Sequence, residues 1–168
     1  MARKKPVPQK KYYTAAEANA ALPLVRTIVR DITGLAPEFR GRYERLQRLM
    51  PGERERIDDP HAEEIHQLQA DLERDQEQMN EYFAELRKLG VELKDPFSGL
   101  VDFLCWMNDH EVYLCWRYGE AEVAHWHELD AGFSGRQKIQ ESGIRNQESG
   151  IRNLEERRNL PLAPDPGS

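Results

Sequence analysis

The chain has 168 residues, which allows one domain with a substantial core but not comfortably two. Charged residues make up 32%, apolar ones 39% and aromatic ones only 8%, a balance that favours long amphipathic helices over a compact all-β fold. The formal net charge of −6 argues against nucleic acid as a general partner, because neutralising phosphates needs a concentrated excess of Lys and Arg.

Residues 1–12 form a basic tail in which Pro6 and Pro8 interrupt any helix, and no apolar stretch follows as in a signal peptide. At Thr14 the pattern changes. Thr14-Ala-Ala-Glu17 is a capping box, with the Thr hydroxyl set to accept the Glu17 amide and Glu17 reaching back to the Thr14 amide. An apolar stripe then runs through Leu22, Val25, Val29, Ile32, Ala36, Phe39, Tyr43, Leu46 and Met50 in three- and four-residue steps, a heptad seam. Pro23 and Pro37 lack an N–H and crowd the carbonyl four residues earlier, so a bend or break is expected near each.

A second stripe holds Ile65, Leu68, Leu72, Asp75, Met79, Tyr82, Leu86 and Leu89. Asp59-Pro60 opens it and Gly90 ends it as a left-handed terminal residue. With the polar turn 51–60 between them, the arms read as an antiparallel helical hairpin over 14–89 with coiled-coil character. Folding it back brings Ala36 and Pro37 near Asp75, whose place in the seam reads as register-setting.

After Gly90 the period becomes 2. Val91–Lys94, Gly99–Met107, Glu111–Tyr118 and Glu122–Glu128 read as strands, with Asn108-Asp109 as a hairpin turn, giving three or four antiparallel strands over 91–128. Pairing Met107 with His110 places Val101, Phe103, Cys105, Val112, Leu114, Trp116 and Tyr118 on one apolar core face. Cys105 is then an ordinary buried thiol, and Cys115 points the other way, so no disulfide is expected. The second face carries Asp102, Cys115 and Arg117, with Asp102 opposite Cys115 and diagonal to Arg117, within ion-pair reach.

The histidines depend on one turn. Three residues, Gly119 to Ala121, would pair Cys115 with His125 and Tyr113 with His127. Asp102, Cys115 and His125 would then form a row, with His127 beside it, a donor set for Zn or Fe. Two residues would send both histidines to the core face. Cys115 with His125 as base and Asp102 as orienter also reads as a nucleophilic arrangement, provided an oxyanion hole exists. Gly132-Phe-Ser-Gly135-Arg136 is either a structural turn or an anion cradle. The candidate polar site is therefore Asp102, Cys115, Arg117, Glu120, His125, His127 and Arg136.

Tyr13-Thr-Ala-Ala-Glu-Ala-Asn19 with Ala21-Leu-Pro-Leu-Val25, Gly90-Val-Glu-Leu-Lys-Asp95, Gly99-Leu-Val-Asp-Phe103, Leu114-Cys-Trp-Arg-Tyr-Gly-Glu120, Trp126-His127 and Gly132-Phe-Ser-Gly-Arg136 carry a resemblance. Together they resemble a bacterial family catalogued as domain of unknown function 2203, over about residues 12–138. The resemblance implies a helical hairpin with a β-sheet cap. It supplies no activity and no catalytic residues, and it points again to Asp102, Arg117, Glu120, His127 and Arg136.

Beyond Arg136 the chain changes character. Gln140–Asn146 is repeated without change as Gln147–Asn153, and a Pro-rich end follows, so 137–168 reads as a mostly disordered tail. No apolar run reaches the roughly 20 residues of a membrane span, and a reducing, cytoplasmic setting keeps both cysteines as thiols. The expectation is an α+β domain over 13–136. It reads first as a non-enzymatic interaction module that homodimerises through its hairpin, and alternatively as a metal- or anion-binding protein.

Overall fold

The computed structural model describes residues 10–50 and 60–140. The start of the basic tail, the polar turn with Asp59, and both copies of the heptapeptide repeat except Gln140 lie outside the described residues.

Helix α1 spans Ala15–Leu49 and α2 spans Ala62–Leu89. Thr14 caps α1, its hydroxyl oxygen accepting the Glu17 amide at 3.1 Å while the hydroxyl lies 3.2 Å from the Glu17 carboxylate. The capping box closes, but through the Thr hydroxyl. Pro23 and Pro37 both lie inside α1 and neither ends it. A missing amide costs one bond in each place, whereas Leu22, Val25, Ile28, Val29 and Ile32 are all buried along this stretch. Of the bend or break expected at each proline, the break does not occur. At the other end of the hairpin, α2 begins after His61 and ends at Gly90, whose φ of +73° lets its N–H bond back to the last turn.

The helices pair through Arg42 and Asp75, which make a close ion pair, and through Arg45 and Glu64. Asp75 thus meets Arg42 rather than Ala36 and Pro37, about one and a half turns from the expected place. Buried residues of α1 end at Ala36, so the rest of its seam is covered only in part.

Five strands follow: β1 Val91–Asp95, β2 Leu100–Met107, β3 His110–Arg117, β4 His125–Glu128 and β5 Gln137–Lys138. They form an antiparallel meander in chain order. The β2–β3 register is the expected one, from Leu100 opposite Arg117 to Met107 opposite His110. Asn108 and Asp109, at φ +50° and +63°, make the tight turn that holds it. Val101, Phe103, Cys105, Val112, Leu114 and Trp116 have no exposed surface and pack on the helices with Val25, Val29 and Ile32. Tyr118, expected on this face, is 39% exposed and stacks edge-on to Trp116 at the sheet margin.

Two other expectations change. Strand β4 begins at His125 rather than Glu122, because Asn19 on α1 claims Val123: its Oδ1 accepts the Val123 amide at 2.7 Å and its Nδ2 donates to the Val123 carbonyl at 3.1 Å. Strand β5, in the expected tail, pairs with β4 through Gln137 opposite Trp126 and Lys138 opposite His125. The chain also engages the sheet earlier than expected. Lys10 and Tyr12 bond the Glu111 carboxylate at 2.9 and 2.6 Å, and the Tyr13 amide donates to the Leu104 carbonyl.

Candidate functional site

Register and pleat place the site on the sheet face turned away from the helices. Glu92 lies opposite Asp102, Asp102 opposite Cys115, and Cys115 opposite His125, with Lys138 next in line. One row thus crosses all five strands. Leu104 lies opposite Tyr113, and Tyr113 opposite His127, in the adjoining row. This is the pairing of the three-residue-turn alternative, although the connection itself runs over residues 118–124.

Asp102, Cys115 and His127 come together. Each offers a ligand-capable atom, and those atoms lie within 4.8 Å of one another. His127 starts two strands from Asp102, so its ring crosses β3, packed against Tyr113 at 5.6 Å between centroids, and brings Nε2 to 3.1 Å from Asp102 Oδ2. The opposite ring nitrogen, Nδ1, lies 2.7 Å from the Glu128 carbonyl oxygen. A carbonyl only accepts, so Nδ1 carries a proton and Nε2 faces Asp102 either as a lone pair or as the second N–H of an imidazolium.

The side chains of Asp102 and His127 are each 3% exposed. Burial pushes the Asp102 carboxyl above its ordinary range against the opposing pull of His127, Cys115 and Lys94. Its second oxygen, Oδ1, is buried with no hydrogen-bond partner of normal geometry. The Cys115 thiol beside it is a weak donor and is itself pushed up to about 12, chiefly by burial. The nucleophilic reading needs His125 as base to this thiol, and His125 is instead engaged by Arg136. Cys105, on the core face, is also pushed up to about 12, by burial first and then by Glu17.

His125 does not join this group. Its Nδ1 lies 2.7 Å from a guanidinium nitrogen of Arg136, which also grips the Glu120 carboxylate with two bonds of 3.0 and 2.6 Å. A guanidinium only donates, so His125 Nδ1 accepts and its proton sits on Nε2. Burial and the Arg136 charge hold His125 below its usual range against the pull of Glu120, which keeps it neutral.

A profile described as "Uncharacterized conserved protein (DUF2203)" matches residues 11–139. The chain belongs to this family. No curated protein and no solved structure matches it.

Within the DUF2203 domain two further residues sit differently from their expected places. Arg117 makes no ion pair with Asp102. It is exposed, with its guanidinium 5.1 Å from the Phe133 ring centre, because it ends β3 beside the loop that carries Phe133. The Gly132–Arg136 loop is a turn. The Gly135 and Arg136 amides bond back to Gly132 and Phe133, and the Arg136 guanidinium is taken by Glu120 and His125. Little remains there to cradle an anion.

Sequence reasoning missed the cover of the DUF2203 site. Tyr113 packs on His127 and bonds Glu92, while Lys94 pairs with Glu92 at 2.9 Å and lies 4.6 Å over the Tyr113 ring. Strand β1 supplies two of these residues, and its register was the missing signal. Among the described residues no helix is long and apolar enough to cross a membrane.

Proposed function

We propose that this protein binds one divalent transition-metal ion, Zn²⁺ in the first instance, through Asp102, Cys115 and His127. The observation that carries this reading is the buried, unpartnered Asp102 Oδ1, in a cluster where a backbone carbonyl already holds the proton of His127 on Nδ1. Metal-ligating imidazoles characteristically donate their other N–H in this way, leaving the first nitrogen to the metal. A mixed thiolate, imidazole and carboxylate set suits Zn²⁺, with Fe²⁺ next.

Charge balance supports the reading. Without metal, the Cys115 thiol and the one proton shared by Asp102 and His127 leave the cluster neutral. A divalent ion displaces both protons, so the buried cluster remains neutral when loaded. A tetrahedral ion would hold its ligand atoms roughly 3.5 Å apart, and the three candidate atoms already lie within 4.8 Å of one another. Three protein ligands leave one position for water or another donor. A reducing, cytoplasmic setting, which keeps the thiol available, is part of the proposal.

The test is elemental analysis of the full chain purified without an affinity tag. The expected result is about one Zn per chain, lost in Asp102→Ala and in Cys115→Ser. Iron at the same stoichiometry would change the ion and keep the site. Metal-free protein that takes up neither ion on titration overturns it.

A second reading, self-association through the hairpin, rests on the outer part of α1. Its seam residues Tyr43 and Met50 are 48% and 53% exposed. A four-helix homodimer would cover them, and Tyr43→Glu would then return the dimer to monomer in light scattering. A monomeric parent chain removes this reading and leaves the first untouched.

A further inference from the structure

A cleft of about 760 Å³ opens between the end of α2 and strand β1 at the free edge of the sheet. Its apolar wall includes Phe83, Leu93, Pro96 and the Tyr113 ring, and Arg87 and Lys94 stand among its polar groups. A second hollow of about 430 Å³ shares Arg87, Val91 and Glu92 with the first and adds Lys10, Lys11 and Lys88. The two hollows adjoin across these shared residues, with most of the apolar wall in the first and the three lysines in the second.

The charge there runs against the whole molecule. Five cations gather around one acid, Glu92, in a chain of net charge −6. Two of the five are already neutralised, Lys10 by Glu111 and Lys94 by Glu92, each at 2.9 Å. Arg87 and Lys88 have no ion-pair partner among the described residues, and neither has Lys11, whose ammonium lies 4.6 Å over the Tyr13 ring and whose stem runs beside Gly90. The C-terminal dipole of α2 accounts for basic residues at 87 and 88. It does not account for Lys11 arriving at the same hollow from the chain start, nor for the aromatic wall beside them.

We propose that this double cleft binds a small amphiphilic organic anion, a phosphate monoester of a flat apolar alcohol. The apolar body lies against Phe83, Leu93 and Tyr113, and the phosphate meets Arg87, Lys88 and Lys11. Three cations without an acidic partner among the described residues suit a dianion better than a carboxylate, and Arg87 can hold two phosphate oxygens at once. A largely apolar hollow with a few convergent charges is the usual form of a small-molecule site. The proposal does not depend on metal, since the cleft reaches the Asp102 cluster only through Tyr113 and its Glu92–Lys94 cover.

Phenyl phosphate is the probe, titrated into the full chain by amide NMR, with inorganic phosphate and phenol as separate arms. The expected result is saturable shifts at Phe83, Arg87 and Val91–Lys94, with affinity at least about tenfold above that of inorganic phosphate. Arg87→Met weakens it about tenfold, Phe83→Ala weakens it while sparing inorganic phosphate, and Arg87→Lys recovers part of the loss. Arg87 is on the surface, so its spectrum reports folding independently. Cys115→Ser, which removes a proposed metal ligand, leaves phenyl phosphate binding unchanged. Absence of binding, affinity no better than inorganic phosphate, shifts elsewhere, or indifference to Arg87→Met each overturn the proposal.

Discussion

The Asp102–His127 pair should respond unequally when it is cut from its two sides. At 3.1 Å, an ion pair there gains about 5 kcal/mol at an effective dielectric of 20, while stripping water from two ions costs several kcal/mol each. The desolvation cost favours the neutral pair, with the proton on the carboxyl and the lone pair on His127 Nε2, while Nδ1–H stays on the Glu128 carbonyl in either state. Asp102→Asn keeps the shape and puts an amide donor opposite that lone pair, so its cost is about 1 kcal/mol or less. His127→Ala leaves a void beside Tyr113 and a buried carboxyl without its partner, at about 3–5 kcal/mol. Urea denaturation of both variants with a metal chelator present, compared at unchanged m, reads the difference directly. Equal losses, or Asp102→Asn as the worse of the two, would refute the assigned proton positions.

Gly99→Ala should cost about 2–4 kcal/mol, because φ is +70° and the new methyl would sit 2.6 Å from Tyr118 Cβ and 2.7 Å from Val29 Cγ1; thermal denaturation measures it, and a loss below 1 kcal/mol on that estimate would contradict the packing. Asn19→Ala frees Val123 and should cost about 1–2 kcal/mol, with faster amide exchange at Val123 as the local signature. Burial pushes the Glu120 carboxyl up, but Arg136 and the Arg117 amide outweigh it and hold it below its ordinary range. That contribution is complete above the unfolded carboxylate pKa of about 4.3 and fades as pH falls through the lower folded value. Denaturation across pH 3–6 should accordingly show the gap between parent and Glu120→Gln narrowing toward acid, whereas a constant gap rejects the ion pair as its source.

Much of the sheet is readable from the order of residues alone. Alternation over Val101–Met107 and Glu111–Trp116, with a two-residue turn between, permits only one register that buries Phe103, Leu114 and Trp116 together. The opposite directions of Cys105 and Cys115 follow. What escapes is whatever depends on contacts beyond neighbouring strands. His127 reaches Asp102 by spanning β3, a distance no pairwise pattern encodes. Arg136 captures His125 only because β5 folds back on β4, and Gln137-Lys138 carries no strand signal of its own. Arg117 turns to Phe133 rather than Asp102 because a loop ring sits at the strand end. On the helical side, the prolines remove two bonds without breaking α1, since burial along Leu22–Ile32 outweighs them.

Cobalt(II) titration of the metal-free full chain asks the decisive question, because a thiolate bound to Co²⁺ produces a sulfur-to-metal charge-transfer absorption. With Asp102, Cys115 and His127 as ligands, that absorption rises to saturation at one equivalent. It is abolished in Cys115→Ser and displaced by Zn²⁺. A chain that stays colourless through excess cobalt, or a band that survives Cys115→Ser, would contradict the proposed centre.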